Sequence, residues 1–541
     1  IDLIIFIGSI AASIRIINSF LTSKDQDPGV IVIDNKCSKI VPLIGLHQSN
    51  TQNIACQIAN LLGGEIIETN NSNDQSFLNL DAFGNQWGWK RSGNIKDWSK
   101  LVIKQAKNEE IFCKQLSGNS LWKTSESGEI INQINEKEIE KPDSTFHVSI
   151  FENHETTWHP PVLWIGIGCE RNTSKELIAN SLNNFLESGN LSQQSIAGFA
   201  TIDIKKDEKG ILELSEEKNL PIKFFSKEDL STIIVPNPSN VVQNEIGTPS
   251  VAEASCLLAA GEESKLLEEK RIFKNQSGAV TIAVAESKNQ YNPTHGEIHI
   301  IGSGPGDISF LTNNARKALS RCTVWIGYKM YLDLIKPLKR SDQVLIESKL
   351  TEEKERCSKA IKLAEEGIKV ALISSGESGF YGMAGLLLEL LQKIKKEYRP
   401  YFEVHPGISS VQLAAAISGA PLMNDFCSIS LSDKLTPWSL IEKRIEGALV
   451  GDFVIALFNP QSIERNWQLK SVIDICLQSR HGDTPVLIAR QVGRENQTKK
   501  FFTLNTIPFK EIDMLSIIII GNSQTTLVDE IFLTPRGYLQ N

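Results

Sequence analysis

Residues 297–312 read EIHIIGSGPGDISFLT. The run Ile298-His299-Ile300-Ile301 is short and β-branched and meets glycines at once, as expected of a buried parallel strand delivering a ligand-facing turn. A dinucleotide fingerprint would be spaced G-x-G-x-x-G and would open a helix whose free N–H groups meet a pyrophosphate. Here Gly302, Gly304 and Gly306 alternate. Pro305 has no N–H, and Asp307 places a negative charge where a phosphate would sit. The turn suits a neutral or cationic ligand, or it is a glycine-rich connection without one. Its position more than halfway along 541 residues suggests two functions on one polypeptide.

At ~100–200 residues per domain, that length implies three to five domains. A hydrophobic share of 41% and a charged share of 22% match an ordinary folded protein, and no apolar run approaches the ~18 residues of a membrane span. The opening stretch IDLIIFIGSIAASIRI lacks a basic leader and meets Arg15, so it reads as a strand and a helix rather than a signal peptide. It starts at Ile1 rather than methionine, which leaves open whether residues precede it. The nine cysteines stand singly, at 37, 56, 113, 169, 256, 322, 357, 427 and 476. That pattern points to a reducing, cytoplasmic location and away from structural zinc. His154 and His159 are spaced i,i+5 and precede Pro160-Pro161, so they would not share a helical face, and a linker is the reading there. No metal-binding residues are expected.

Residues 1–295 hold 27 Lys and Arg against 37 Asp and Glu, and residues 296–541 hold 29 against 27. Neither balance suggests a nucleic-acid binder. Polar stretches at about 125–159 and 286–295 mark domain boundaries. Before, between and after them strand-like and helix-like runs alternate, which is an α/β pattern. In the segment 162–186, a strand leads to a helix with Thr173 or Ser174 as N-cap. Beyond His295, strands are readable at 298–301, 323–326, 369–374, 401–404, 427–431, 452–458, 485–490 and 516–521, enough for two lobes. SSGESGFYG, HPGISS, NPQS, RQVGRE and GNS follow five of these strands. In open α/β sheets the ligand crevice lies beyond the carboxyl ends of strands, so this placement argues for a binding site.

GSGPGD at 302–307, SSGESGFYGMAG at 374–385, EVHPGISSVQLAAA at 403–416, GAPLMNDFCSISLSD at 419–433 and DFVIALFNPQS at 452–462 resemble the tetrapyrrole methylase family. LSDKLTPW and ALFNP point to its precorrin-3B C(17)-methyltransferase branch. The resemblance implies a two-lobed α/β methyltransferase, usually a homodimer, that folds S-adenosyl-L-methionine into the cleft between lobes. Carried over by motif, the cofactor residues are Gly304, Pro305, Asp307, Ser375, Gly376, Glu377, Ser409, Ser410, Phe458, Asn459 and Gly493. Where the family reads SGDPG, this chain has Ser375-Gly376-Glu377-Ser378-Gly379, with a longer acid and no proline. The resemblance also implies that the reaction contracts the macrocycle, which needs proton movement, for which Tyr381, His405, Asp425 and Asp433 are candidates. His405 could instead only shape a turn, and Asp433 only cap a segment. Lys434, Arg444, Arg465, Arg490, Arg494 and Arg536 are candidate partners for the carboxylates of an anionic tetrapyrrole, though such residues are commonly plain surface.

FIGSIAASIRII at 6–17, DPGVIVIDNK at 27–36, GIGCERNTSKELI at 166–178 and the run from NPSNVVQNEIGTPSVAEASCLLAAG to VTIAVAES resemble the cobalt-precorrin-5A hydrolase family. That family opens a lactone on a ring-contracted corrinoid. The family's GH-x-GGAN-like loop is reduced here to His47 and Asn53. His47 is the base candidate, Arg15 a substrate-acid partner, and Cys169 either a nucleophile or a packed thiol. Taken together, the resemblances imply a multidomain α/β chain of small α/β domains followed by a two-lobed tetrapyrrole methylase fold. The hydrolase N-terminal domain is 1–68, its middle domain 69–130 and its C-terminal domain 161–286, with linkers at 131–160 and 287–295. The methyltransferase is 296–541, with lobes of about 296–406 and 407–541. A cobalt-containing corrinoid substrate is expected, because a lactone hydrolase is useful only where the methylase product keeps its lactone. Two other readings remain: a family member acting on a different acceptor, or a first half that binds corrinoid without catalysis.

Overall fold

Glu297–Gly302 lies inside a five-stranded, all-parallel sheet in the order Val344–Ser348, Val324–Tyr328, Lys369–Ser374, Glu297–Gly302, Tyr401–His405. Ile298 and Ile300 face one core and Ile301 the other. Burial on both faces is why isoleucines stand on both sides of this strand, with His299 its one buried polar residue. The computed structural model describes residues 3–21, 27–45, 51–67, 77–134, 142–152, 155–276, 278–462 and 465–538.

The second lobe is a mixed sheet in the order Phe426–Ser430, Val454–Phe458, Ser516–Ile520, Pro485–Arg490, Thr498–Thr503. Ser516–Ile520 runs antiparallel to both of its neighbours. This corrects one expectation from the sequence. Gly521, Asn522 and Ser523 follow that strand at the end away from the cleft, where Asn522 Nδ2 donates to Asp452 O and Ser523 Oγ to Asp452 Oδ2. The cleft receives the start of the strand instead.

Among its described residues the first half contains three sheets. Leu3–Ile7, Gly29–Ile33, Lys39–Ile44 and Glu65–Ile66 form one, and Ile222–Phe225, Ile196–Ile202, Leu163–Cys169, Gly278–Glu286 and Lys265–Asn275 form another. The helix after Leu163–Cys169 is capped by Ser174, whose side chain accepts from Leu177 N.

The third sheet corrects the linker expected at 131–160. Asn132–Gln133, Thr145–Val148 and Thr157–His159 are strands paired with Lys90–Ser92 and Phe112–Gln115. Polar residues there are bonded inside rather than solvated. His159 Nδ1 lies 2.8 Å from Ser149 O and its Nε2 2.7 Å from Ser92 Oγ. Apolar mass comes from Phe146 and Trp158 on these strands together with Phe83, Trp98 and Trp122 from earlier in the domain, and all five share one core with Ile298, Val324, Leu363 and Leu387 of the first methylase lobe.

Residues 287–295 form no helix or strand, but Gln290 is 2% exposed. Its Nε2 donates to Trp87 O and Glu366 O, and its Oε1 accepts from Trp89 Nε1 and Asn119 N. One side chain thus ties the middle sheet to the methylase lobe. Among the described residues no helix is long and apolar enough to cross a membrane.

Candidate active site

Three loops leave neighbouring parallel strands of the first lobe at the same end, after Gly302, Ser374 and His405. They meet backbone to backbone. A Cβ on Gly407 would lie 2.1 Å from Gly376 O and 2.6 Å from Gly302 O, and one on Gly302 would lie 2.5 Å from Gly407 N. Gly376 N donates to Gly304 O at 2.8 Å, closing a bridge between the first two loops. The alternating glycines are therefore there for close packing of loops.

Glu377 fastens the third loop. Its Oε2 accepts from Gly407 N at 2.6 Å and its Oε1 from Gly379 N at 3.0 Å. The extra methylene relative to the family motif reaches across to the 406–410 turn. Ser409 then caps the helix Ser410–Ser418, with Gln412 Oε1 accepting from Ser409 N at 2.8 Å.

The second lobe closes over these loops. Gly493, at φ +75, faces Pro305, and its carbonyl accepts from Asp307 N at 2.6 Å. Phe458 packs against Phe380 and Tyr381 with ring centroids 5.2 and 5.3 Å apart, and Tyr381 Oη donates to Ser428 O at 2.9 Å. Tyr381 and Asn459 both take left-handed backbone conformations, at φ 58 and φ 51. Asn459 Nδ2 donates to Ser430 Oγ, and its carbonyl accepts from Arg465.

The resulting cleft is lined by Pro305, Ser375, Gly376, Glu377, Tyr381, Ser409, Ser410, Phe458 and Asn459, all singled out from sequence, and by Arg494. Tyr331, Phe380, Gln491, Val492 and Met514 to Ile517 also line it and were not singled out. Phe380, Gln491 and Val492 sit inside strand-end segments already marked, so the strand-end rule held the signal for them. Nothing in the sequence signals that Met514 to Ile517 enter from a strand's beginning.

Other expected residues lie elsewhere. Gly304 and Gly493 shape the cleft's wall from behind Gly376 and Pro305. Asp307 is exposed and caps a turn, its Oδ1 accepting from Ser309 N at 2.7 Å, and that bond holds its carboxyl below the ordinary range. His405 is buried against His299, 2.9 Å between Nε2 and Nδ1, and its burial lowers its pKa. Asp425 is exposed at the start of Phe426–Ser430, at the far end from the cleft. Asp433 accepts from Gln468 Nε2 at 3.0 Å. Of the four acid–base candidates in this half, Tyr381 lines the cleft.

Among the basic residues, Arg490 is paired with Asp513 at 2.8 Å, while Lys434, Arg444 and Arg536 are exposed. Arg494 Nε donates to Pro305 O at 3.3 Å.

In the first half, His47 lies outside the described residues, and so does Asn53's side chain. Arg15 is exposed on the helix Ile10–Ile17. Burial pushes the Cys169 thiol up to about 11, the opposite of what a nucleophile needs.

The family model described as Tetrapyrrole (Corrin/Porphyrin) Methylases matches residues 297–508. A precorrin-3B C(17)-methyltransferase from Sinorhizobium sp is 33% identical over 249 residues, covering 45% of this chain and 97% of that protein. The chain belongs to the tetrapyrrole methylase family. A cobalt-factor III methyltransferase from Priestia megaterium is 44% identical over 245 residues, and this chain spans 45% of that protein's length. The crystal structure of the methyltransferase CobJ matches with 33% identity over 44% of this chain and 100% of that one, at a TM-score of 0.43. Ahead of the methylase half, residues 1–73 match the model Cobalamin synthesis G N-terminal and residues 163–285 match Cobalamin synthesis G C-terminus. The chain is a fusion of these segments with a methylase. Tetrapyrrole methylases use S-adenosyl-L-methionine. The cleft suits such a donor: it presents hydroxyls, backbone groups and the aromatic rings of Phe380, Tyr381 and Phe458 to a sulfonium that carries no phosphate.

Proposed function

We propose that residues 296–541 methylate ring position 17 of precorrin-3B or cobalt-factor III with ring contraction, giving precorrin-4 or its cobalt form. Residues 1–286 act later, on a further-methylated product, and open the lactone of cobalt-precorrin-5A with release of acetaldehyde. The observation that carries this reading is the meeting of three glycine loops with Phe458, Asn459 and Arg494 in one cleft, in a chain that also holds both cobalamin synthesis G segments.

The bound donor supplies an electrophilic methyl group. Pro305, Ser375, Gly376, Ser409, Ser410 and Asn459 hold it, while Glu377 keeps the loops in register. Phe380 and Phe458 exclude water, and alignment of donor with acceptor carbon then supplies most of the acceleration. In this reading Tyr381 moves a proton during contraction and Arg494 meets a substrate carboxylate, which their position in the cleft lining supports. His47 remains the proposed base of lactone opening. A cobalt-containing substrate, a homodimer formed through the methylase half and a cytoplasmic location complete the proposal.

Mass measurement of the product from S-adenosyl-L-methionine and each ring substrate tests it. Methyl transfer to a peptide or RNA, with none to either tetrapyrrole, would sink it. The reduced loop at 45–53 favours a second reading, in which the first half binds corrinoid without catalysis. Supplying the lactone substrate and assaying aldehyde separates the two.

A further inference from the structure

We infer that His299, His405 and Glu403 form a binding site for a first-row divalent transition metal such as zinc. Parallel pairing of Glu297–Gly302 with Tyr401–His405 sets His299 opposite Glu403 and Ile301 opposite His405. His299 Nδ1 and His405 Nε2 stand 2.9 Å apart. Glu403 Oε2 lies 3.9 Å from the first and 3.8 Å from the second. Around a tetrahedral metal with bonds of ~2.0–2.1 Å, ligand atoms are separated by roughly 3.3–3.4 Å. The imidazoles must part, and the carboxylate close in, by about half an ångström.

The surroundings also resemble a metal site. His299 Nε2 is 2.8 Å from Glu297 Oε2, and Glu297 is itself held by Lys369 Nζ at 2.6 Å. A histidine ligand commonly donates its other ring N–H to a carboxylate, which fixes the tautomer and raises the basicity of the coordinating nitrogen. Here that bond places the proton of His299 on Nε2 and leaves Nδ1 as a bare lone pair. His405 coordinates through Nε2 once its ring proton shifts to Nδ1, so both rings stay neutral and no oxidant or reductant is involved.

Both histidines are buried, whereas the Glu403 side chain is 48% exposed at the sheet edge, giving an ion a route in. Two imidazoles with one carboxylate suit zinc, cobalt or nickel rather than magnesium or calcium. His405 precedes Pro406 and Gly407, so a bound ion would pin the edge strand where the cleft's third loop begins.

The test is calorimetric titration of the metal-stripped full-length protein with zinc, without tetrapyrrole. One zinc per chain and a thermal midpoint that rises with zinc are expected, with both effects lost in His405→Gln. Glu297→Gln, which touches no ion directly, should weaken binding roughly 10- to 100-fold. Glu403→Gln, at a half-exposed position that cannot unfold the core, should weaken it at least about as much. Zinc binding unchanged in Glu403→Gln, or no zinc taken up by the folded wild type, would overturn the assignment.

Discussion

The two halves of this chain use the same strand–helix alternation, and among the described residues their strand ends are built differently. In residues 302–517, glycine lets three loops touch through their backbones, and a second sheet closes against them. At the corresponding end of the 163–286 sheet, beyond Cys169 and Ile202, the chemistry-bearing side chains are bound to one another. Lys205 meets Glu208 at 3.2 Å, Arg171 meets Asp207 at 2.6 Å, and Glu208 accepts from Asn172 N. Charged residues at strand ends therefore do not by themselves make a site. What distinguishes the methylase cleft is backbone approach without side chains in between.

The largest expected break in this comparison is Gly407→Val. Its Cβ would overlap Gly376 O, the loops would separate, and methyl transfer should fall on the order of 100-fold, since misplacement of about 1 Å can cost that much. Lactone opening assayed on the same protein should be unaffected. A methyl-transfer rate near wild type would mean that loop contact is not what builds the cleft.

Next comes Glu377→Ala, which leaves two backbone N–H groups without their carboxylate. Hydrogen bonds to a charged group are worth about 1.5–3 kcal/mol, so donor affinity should drop by about 10-fold or more in calorimetry. Unchanged affinity would remove Glu377 from the cleft's construction.

A smaller effect tests the seam between the halves. Lys223 sits 4.1 Å over the Trp164 ring and 4.5 Å over Tyr291, and burial lowers its ammonium from 10.5 to about 8. Between those values the unfolded chain binds more protons than the folded one. Stability should therefore rise with pH from about 8 to about 10.5, by on the order of 1 kcal/mol after screening. Lys223→Met should lack this increment in denaturant titrations at the two pH values. Identical slopes in both proteins would place Lys223 in water.

The smallest expected effect is none. With its thiol pushed up to about 11, Cys169 is protonated at neutral pH, and Cys169→Ser should leave aldehyde release within about twofold. A large loss would restore the cysteine as a nucleophile.

Much of the methylase cleft was legible because its requirements are local. Gly302, Gly376 and Gly407 follow short apolar runs in the sequence, and a glycine after a buried strand is a recognisable token. The linker at 131–160 misled because Thr145–Val148 and Thr157–His159 are very short strands in which buried, hydrogen-bonded polar residues stand beside Phe146, Val148 and Trp158, and the rest of their core comes from residues far away in the sequence. By motif His405 is one of four acid–base candidates or a shaper of the turn at Pro406, while its neighbours His299 and Glu403 depend on strand register.

Sequence alone determined the α/β class and the strand–glycine–loop units, because those features depend on composition and spacing over a few positions, while the fusion and the residues expected along the cleft came from motifs that resemble known families. Tertiary structure decided which end of Ser516–Ile520 meets the cleft, that the middle sheet shares a core with the first methylase lobe, and that positions 299, 403 and 405 converge. The physical reason is the same for all three. Strand direction, sheet order and register are set by hydrogen bonds and packing between segments far apart in the chain, and no local run of residues encodes them.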